Sequence, residues 1–195
     1  MIITIARECG CSGDLVGTEL SAEYHIPVYD RKSICEMAGQ HGSYAKYPDF
    51  YEEKQADSFL TAMAEDEQEE LIRKIPEYAL KTVLGEQSCI IIGRCGNYAY
   101  RNSQDMISVF LSGEKELRIR KMMQVHGFSQ KKAELVLEET DSRRREYHKY
   151  YTGQEWGYAG NYHLCLEESR LGTDGVLTVL KQYISLLGKS GKLKI

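Results

Sequence analysis

Apolar and polar positions fall in blocks along this chain, and the period changes from one block to the next. Residues 2–6 (Ile-Ile-Thr-Ile-Ala) are short, β-branched and apolar, which predicts a buried strand. The glycine-bearing stretch Cys9 to Gly13 follows as a loop, and Leu15, Val16, Leu20 and Tyr24 then recur near helical spacing. Residues 26–29 predict a second strand, ended by Asp30-Arg31, with a helix over 32–39 after it. Residues 40–66 keep no period: Gly, Tyr and Pro48 give way to an acidic run from Glu65 to Glu70. That stretch is expected to be a mobile insertion leading into a helix that ends near Gly85. Residues 88–93 read as the clearest central strand, because nothing polar interrupts Cys89 to Ile92. Residues 108–111 predict another strand. Leu117, Ile119, Met122, Met123 and Val125 place the next apolar stripe on a charged helix. Gly127 stops that helix, and Ser129 is a good N-cap for a highly charged helix over 130–150. A loop at 156–160, a last strand at 162–166 and an amphipathic closing helix at 173–187 complete the order. The tail from Gly188 is expected to fray.

Strands alternating with helices specify an α/β fold, a parallel sheet covered on both faces. Ligands of such sheets bind at the carboxyl ends of the strands, at a topological switch point. The length of 195 residues predicts one domain over 1–195. A chain of that size buries about 70% of its unfolded surface and needs no staple. A net charge of −4 argues against a nucleic-acid polymer as partner. No apolar run approaches bilayer length, and the first residues carry no basic leader, so a cytoplasmic location without membrane contact is expected. The six cysteines are then expected to be reduced, with Cys89 and Cys165 serving as small hydrophobes in strands. Cys9-x-Cys11 is too tight for the usual zinc spacing and the five histidines are scattered, so no metal site is expected.

The residues just after each strand carry the candidate chemistry. Arg7-Glu-Cys-Gly-Cys-Ser-Gly-Asp14 is a glycine-bearing loop between strand and helix, able to turn backbone N–H groups toward an anion. The full G-x-x-x-x-G-K-[ST] pattern is absent: lysine is missing and Asp14 stands there. A tight turn without a ligand is an equally weighted reading of the loop alone. Asp30-Arg31-Lys32 and Gly93-Arg94 supply basic groups at two further strand ends, and Asp141-Ser-Arg-Arg-Arg145 supplies a fourth cluster. An arginine in such a place clamps phosphate or carboxylate with paired N–H bonds. For Arg143 to Arg145 a solvated helix face, with pairs such as Glu139 and Arg143, competes with that reading. The tyrosines from 147 to 151 and Trp156 are read first as packing residues.

Taken together, six blocks resemble the cytidylate kinase-like family. They are Ile3 to Gly10 (Ile-Thr-Ile-Ala-Arg-Glu-Cys-Gly), Ile26 to Arg31 (Ile-Pro-Val-Tyr-Asp-Arg) and Ile91 to Tyr98 (Ile-Ile-Gly-Arg-Cys-Gly-Asn-Tyr). Thr140 to Arg144, Tyr150 to Gly157 and Asn161 to Leu164 follow in the same order. The resemblance implies a P-loop kinase-like three-layer sandwich, with about five parallel strands, helices on both faces and a helical lid at 129–160. It implies ATP-dependent phosphoryl transfer to a nucleoside monophosphate such as CMP, with Mg²⁺ bridging the donor phosphates. By position, Gly10, Cys11, Ser12 and Gly13 would lie on the phosphates, with Arg7 supplying the missing cation. Asp30 and Arg31 would face the acceptor, Arg94 would hold its phosphate or base, and Asp141, Arg143 and Arg144 match the lid block. Residues 40–66 would form either the acceptor-side insertion or a contact in a homo-oligomer. The family's branch reads Arg-Glu-x-Gly-Ser-Gly-Gly-Arg at the loop, where this chain ends in Asp14, and Tyr-Asp-Leu where this chain has Tyr162-His-Leu. A nucleotide-binding module without turnover, and a small-molecule kinase with a non-nucleotide acceptor, are the competing readings.

Overall fold

Five parallel strands form the floor on which the candidate residues stand. The computed structural model of the chain describes residues 1–54 and 66–193. The strands are β1 (Ile2–Arg7), β2 (Val28–Tyr29), β3 (Cys89–Ile92), β4 (Met106–Ser112) and β5 (Leu164–Glu167), in the spatial order β2-β3-β1-β4-β5. β1 is central: Ile3 lies beside Ile90 on one side and Ile107 on the other. The chain leaves β1 toward β2 on one side and later reaches β4 on the other. That reversal opens a crevice at the carboxyl ends of β1 and β3.

Side chains alternate across the sheet with period two. Ile3, Ile5, Ile90 and Ile92 face one core with Val16 and Leu20 of α1 (Gly13–Tyr24) and Val176, Leu180 and Ile184 of α8 (Glu168–Lys189). Ile2, Cys89 and Ile91 face the other core. There α2 (Arg31–Gln40), α3 (Pro48–Glu52), α4 (Asp66–Leu84) and α5 (Gly96–Ala99) supply Ile34, Phe50, Leu80 and Ala99. Each such side chain contributes about 1.5–3 kcal/mol on burial. α6 (Lys115–His126) and α7 (Gln130–Thr152) pack together through a smaller cluster of Ile119, Met122, Ala133 and Leu137 that also holds Cys9 of the loop. Gly127 ends α6 in the left-handed conformation and the Ser129 hydroxyl accepts the Lys132 N–H, as their sequence positions predict.

Four expectations need correction. The part of 40–66 that is described is built into the core: Phe50 and Tyr51 are 1% and 0% exposed, and α3 docks them against α7. A five-residue helix is too short to display a period. Residues 55–65 of that insertion lie outside the described residues. Cys165 is exposed on the edge strand β5 rather than buried. The tail is anchored, since Leu193 is buried in the α1/α8 core. The last strand starts at Leu164, two residues later than expected, because Tyr162 ends a 3-10 turn. All six cysteines are free, and no described helix is long and apolar enough to cross a membrane.

α1 must lie close to the sheet for its N-terminus to reach the crevice, and Gly17 permits this. A Cβ there would stand 2.7 Å from Ile92 Cδ1 and 3.2 Å from Val28 Cγ2. Gly17→Val should therefore overpack the interface by about 1–3 kcal/mol. Thermal unfolding should fall by roughly 2–4 °C for each of those kcal/mol. An unchanged melting temperature would show that α1 does not depend on this contact.

Candidate active site

The loop after β1 is held by carboxylates. Gly10 (φ +87°) turns the chain, and the Cys11 N–H closes the turn on Glu8 O at 3.1 Å. A Cβ on Gly10 would meet Arg118 Cβ at 2.9 Å, so glycine is needed for the close approach of α6. The Cys9 N–H donates to Asp141 Oδ1 at 2.7 Å, and the Ser12 N–H donates to Glu168 Oε2 at 2.6 Å. Both carboxylates are buried, at 3% and 5% exposure. Burial alone would raise the Glu168 carboxyl; bonds from Lys121 and from the Ser12 hydroxyl and amide outweigh it and hold the group below its ordinary range. Two amides of the loop thus donate to carboxylates of the chain itself.

Arg118 ties this loop to its neighbours. Its Nη1 donates to Asp141 Oδ2 at 2.7 Å and to Cys9 O at 3.0 Å, and its Nε donates to Gly113 O at 2.9 Å. Glu8 completes the ring by accepting the Gly113 N–H at 2.9 Å. Asp14, which the sequence places beside the loop, is exposed in the first turn of α1 and accepts from Arg7 Nη2 at 3.1 Å. The Arg7 side chain lies over the start of α1, 2.9 Å from where a Gly13 Cβ would be.

Beside the loop, at the ends of β1 and β3, opens a cleft of about 200 Å³. Arg7, Arg31, Arg94, Arg143 and Arg144 line it, and among the described residues Glu53 is the one acidic group that does. Arg144 Nη1 donates to Arg7 O at 2.9 Å. Burial, then the charge of Arg7, pulls the Arg144 guanidinium down to about 10, against the opposing pull of Glu53 and Asp141, so it stays charged at neutral pH. Arg94 is turned inward: its Nη1 donates to Phe50 O at 2.8 Å and Tyr51 O at 3.0 Å, and its Nη2 to the Glu53 carboxylate. Arg31 Nη1 reaches Glu52 O at 3.4 Å. Asp30 does not line the cleft; it caps α2, its Oδ1 accepting the Ser33 N–H at 2.8 Å. Burial pushes the Asp30 carboxyl up, but the Ser33 bonds prevail and hold it below its usual value. Trp156 stands edge-on to Phe110 at 5.1 Å and also lines the cleft. Among the described residues, no group of three or more His, Cys, Asp or Glu is placed to hold a metal ion on its own.

The model of the cytidylate kinase-like family matches residues 2–170, which span both the loop and the cleft. This chain belongs to the cytidylate kinase-like family. A crystal structure of an uncharacterized protein from Eubacterium ventriosum ATCC 27560 is similar over 95% of this chain and 98% of its own, at 26% identity and a TM-score of 0.70. A gluconokinase from Sinorhizobium meliloti 1021 is similar over 96% of this chain and 95% of its own, at 12% identity and a TM-score of 0.52. The fold is that of the P-loop kinases, with its five-stranded parallel sheet and flanking helices. No curated protein matches the sequence.

Within this cytidylate kinase-like chain, the arginines named from sequence share one cleft, whereas Asp141 sits behind the loop rather than in the cleft. Three residues of the site escape a sequence reading: Arg118, Lys121 and Glu168. The first two lie in a helix where charges crowd together, and nothing in their spacing separates them from a solvated face. Glu168 begins α8 and looks like an ordinary helix-start carboxylate. His148 is also unmarked in sequence, yet it lines the cleft at 3% exposure and its Nε2 has no hydrogen-bond partner among the described residues.

Two measurements test these assignments. Arg94→Ala removes one half of a buried pair and leaves two carbonyls and Glu53 behind, so unfolding free energy should drop by about 3–5 kcal/mol. A variant of wild-type stability would return Arg94 to a purely ligand-facing role. For His148, burial lowers the imidazole from 6.5 to about 4. The unfolded chain takes up that proton first, so stability falls as pH drops through 6.5 and stops falling from this source below about 4. The full difference amounts to on the order of 3 kcal/mol. Chemical denaturation from pH 7 to 4 should show a shallower loss in His148→Phe than in wild type, and parallel curves would refute it.

Proposed function

We propose that this chain transfers the γ-phosphoryl group of ATP to a nucleoside monophosphate such as CMP. The observation that carries the reading is the sorting of charge at the ends of β1 and β3. Among the described residues, five arginines and one carboxylate line a cleft in a protein of net charge −4, next to a loop whose amides already hold carboxylate oxygens. Phosphoryl transfer asks a protein for positioning and charge neutralisation rather than covalent chemistry. A cleft of that kind supplies both.

In this reading the amides of residues 10–13 hold the donor phosphates, and Arg7, lying over the first turn of α1, supplies positive charge beside them. Arg144, already poised next to Arg7, faces the transferring group. Arg143 and Arg31 orient the acceptor from opposite walls. Asp30 positions Arg31 by capping the helix that begins with it, and Arg94 fixes the wall that carries Glu53. Asp141 positions the loop. The 129–160 segment acts as the lid, because α7 carries both Arg143 and Arg144. The Ser12 hydroxyl is an oxygen ligand of the kind that an oxygen-seeking cation takes, while the Glu8 and Glu168 carboxylates beside it are already paired with Arg118 and Lys121. Magnesium, entering with the donor, would neutralise charge between its phosphates.

Binding without turnover is the second reading, favoured by Asp14 at the position where a phosphate-loop lysine would stand. Coupled ADP release with Mg-ATP, run against CMP and the other nucleoside monophosphates, separates the two. The kinase reading expects release that depends on the acceptor and falls on the order of a hundredfold in Arg144→Ala. The single tryptophan, Trp156, should report acceptor binding by a change in emission. A raised melting temperature with ATP, but no ADP from any acceptor, would assign the chain to the binding class.

A further inference from the structure

The phosphate loop lacks its lysine, yet an ammonium group stands against it. Lys121 of α6 donates from Nζ to the Ser12 hydroxyl and, at 2.7 Å, to Glu168 Oε1. The other Glu168 oxygen accepts the Ser12 N–H at 2.6 Å. Thr173 Oγ1 approaches the same Ser12 hydroxyl at 3.2 Å. One carboxylate therefore bridges a loop amide and a lysine ammonium, the two kinds of donor that a polyphosphate oxygen meets in a lysine-bearing phosphate loop. Gly10, Gly113, Arg118 and Gly172 border a second hollow of about 210 Å³ around this pair, and none of these residues lines the arginine cleft.

We infer that Lys121 is the cation that serves the donor phosphates in this chain, and that Glu168 occupies their place until the donor arrives. The inference rests on the kinase reading for the identity of the donor. Three features of the site agree with it. Lys121 is 38% exposed at its side chain, so the cation can swing toward an incoming ligand, while Glu168, 5% exposed, lies at the loop where that ligand would sit. α8 breaks helical geometry at Gly172 (φ +67°), four residues after Glu168, so the first turn carrying the carboxylate can move apart from the rest of the helix. The loop amides beyond Ser12 open α1, where the first N–H groups have no partner within the helix. An incoming phosphate would take Ser12 N–H and Lys121 from Glu168 and reach those amides as well. Lys121 then does from α6 what a lysine at position 14 would do from α1, and Asp14 is left to pair with Arg7 on the outer side.

Calorimetric titration of the full chain with Mg-ATP, and separately with inorganic tripolyphosphate, tests this. Lys121→Met should weaken binding of both at least tenfold, and Lys121→Arg should recover most of the loss. Glu168→Gln keeps the shape but removes the competing charge, so both ligands should bind several-fold more tightly. Circular dichroism establishes that each variant is folded. Either variant within twofold of wild type, or weaker binding by Glu168→Gln, overturns the inference while the kinase reading stands on wild-type binding and turnover. A wild-type chain that binds neither ligand overturns both.

Discussion

The arrangement depends on a buried clamp between Arg118, Asp141 and the two polar groups of one peptide residue, Cys9. Asp141 accepts the Cys9 N–H while Arg118 donates to the Cys9 carbonyl, and the two side chains bond to each other. A charge removed from water is costly unless its partner and its remaining hydrogen bonds are all in place. Here they are, and every further bond runs to the loop or to the start of α6. The loop is thereby fixed to α6 and α7 at once. Its conformation is set by side chains distant in sequence, and so does not require the usual loop residues. This accounts for a loop that tolerates Cys11, Ser12 and Asp14 where the family's branch has serine, glycine and arginine.

Charge is sorted by the same construction. Carboxylates meet the loop from behind and from the side of α8, where each has a basic partner: Asp141 with Arg118, Glu168 with Lys121, Glu8 with Arg118. Guanidiniums meet the loop from the side of the cleft, where Arg144 lies close to Arg7 and both are only partly neutralised. Composition conceals this. A net charge of −4 describes the whole surface, whereas the field in a cleft depends on the few groups that line it.

The strands were legible because buried parallel strands must be continuous apolar runs, and Cys89 to Ile92 is one. Gly127 and Ser129 were legible because capping chemistry is local. The arginine cleft was legible in outline, since strand order alone puts residues 7, 31 and 94 at one edge of the sheet. What was not legible depends on convergence. Lys121 meets Ser12 across 109 positions and Glu168 meets it across 156, and no local pattern encodes such meetings. The burial of Phe50 and Tyr51 was hidden for a different reason: α3 has too few residues for a periodic stripe, and its aromatic side chains resemble those of a surface loop.

Arg94 lines the cleft with the other arginines and yet bonds differently from them. Gly93, Arg94 and Cys95 all have positive φ, at 76°, 54° and 52°, in the turn from β3 into α5. For the two non-glycine residues this conformation costs roughly 1–2 kcal/mol each. Glu53 is left-handed as well, at φ 58°, in the C-cap of α3. The two strained residues hold each other: the Arg94 guanidinium bonds to the Glu53 carboxylate and to the last carbonyls of α3. These bonds tie the end of β3 to the 48–53 segment and make that segment a wall of the cleft. Arg94 shapes the site from underneath, and the charge offered to a ligand is left to the arginines around it.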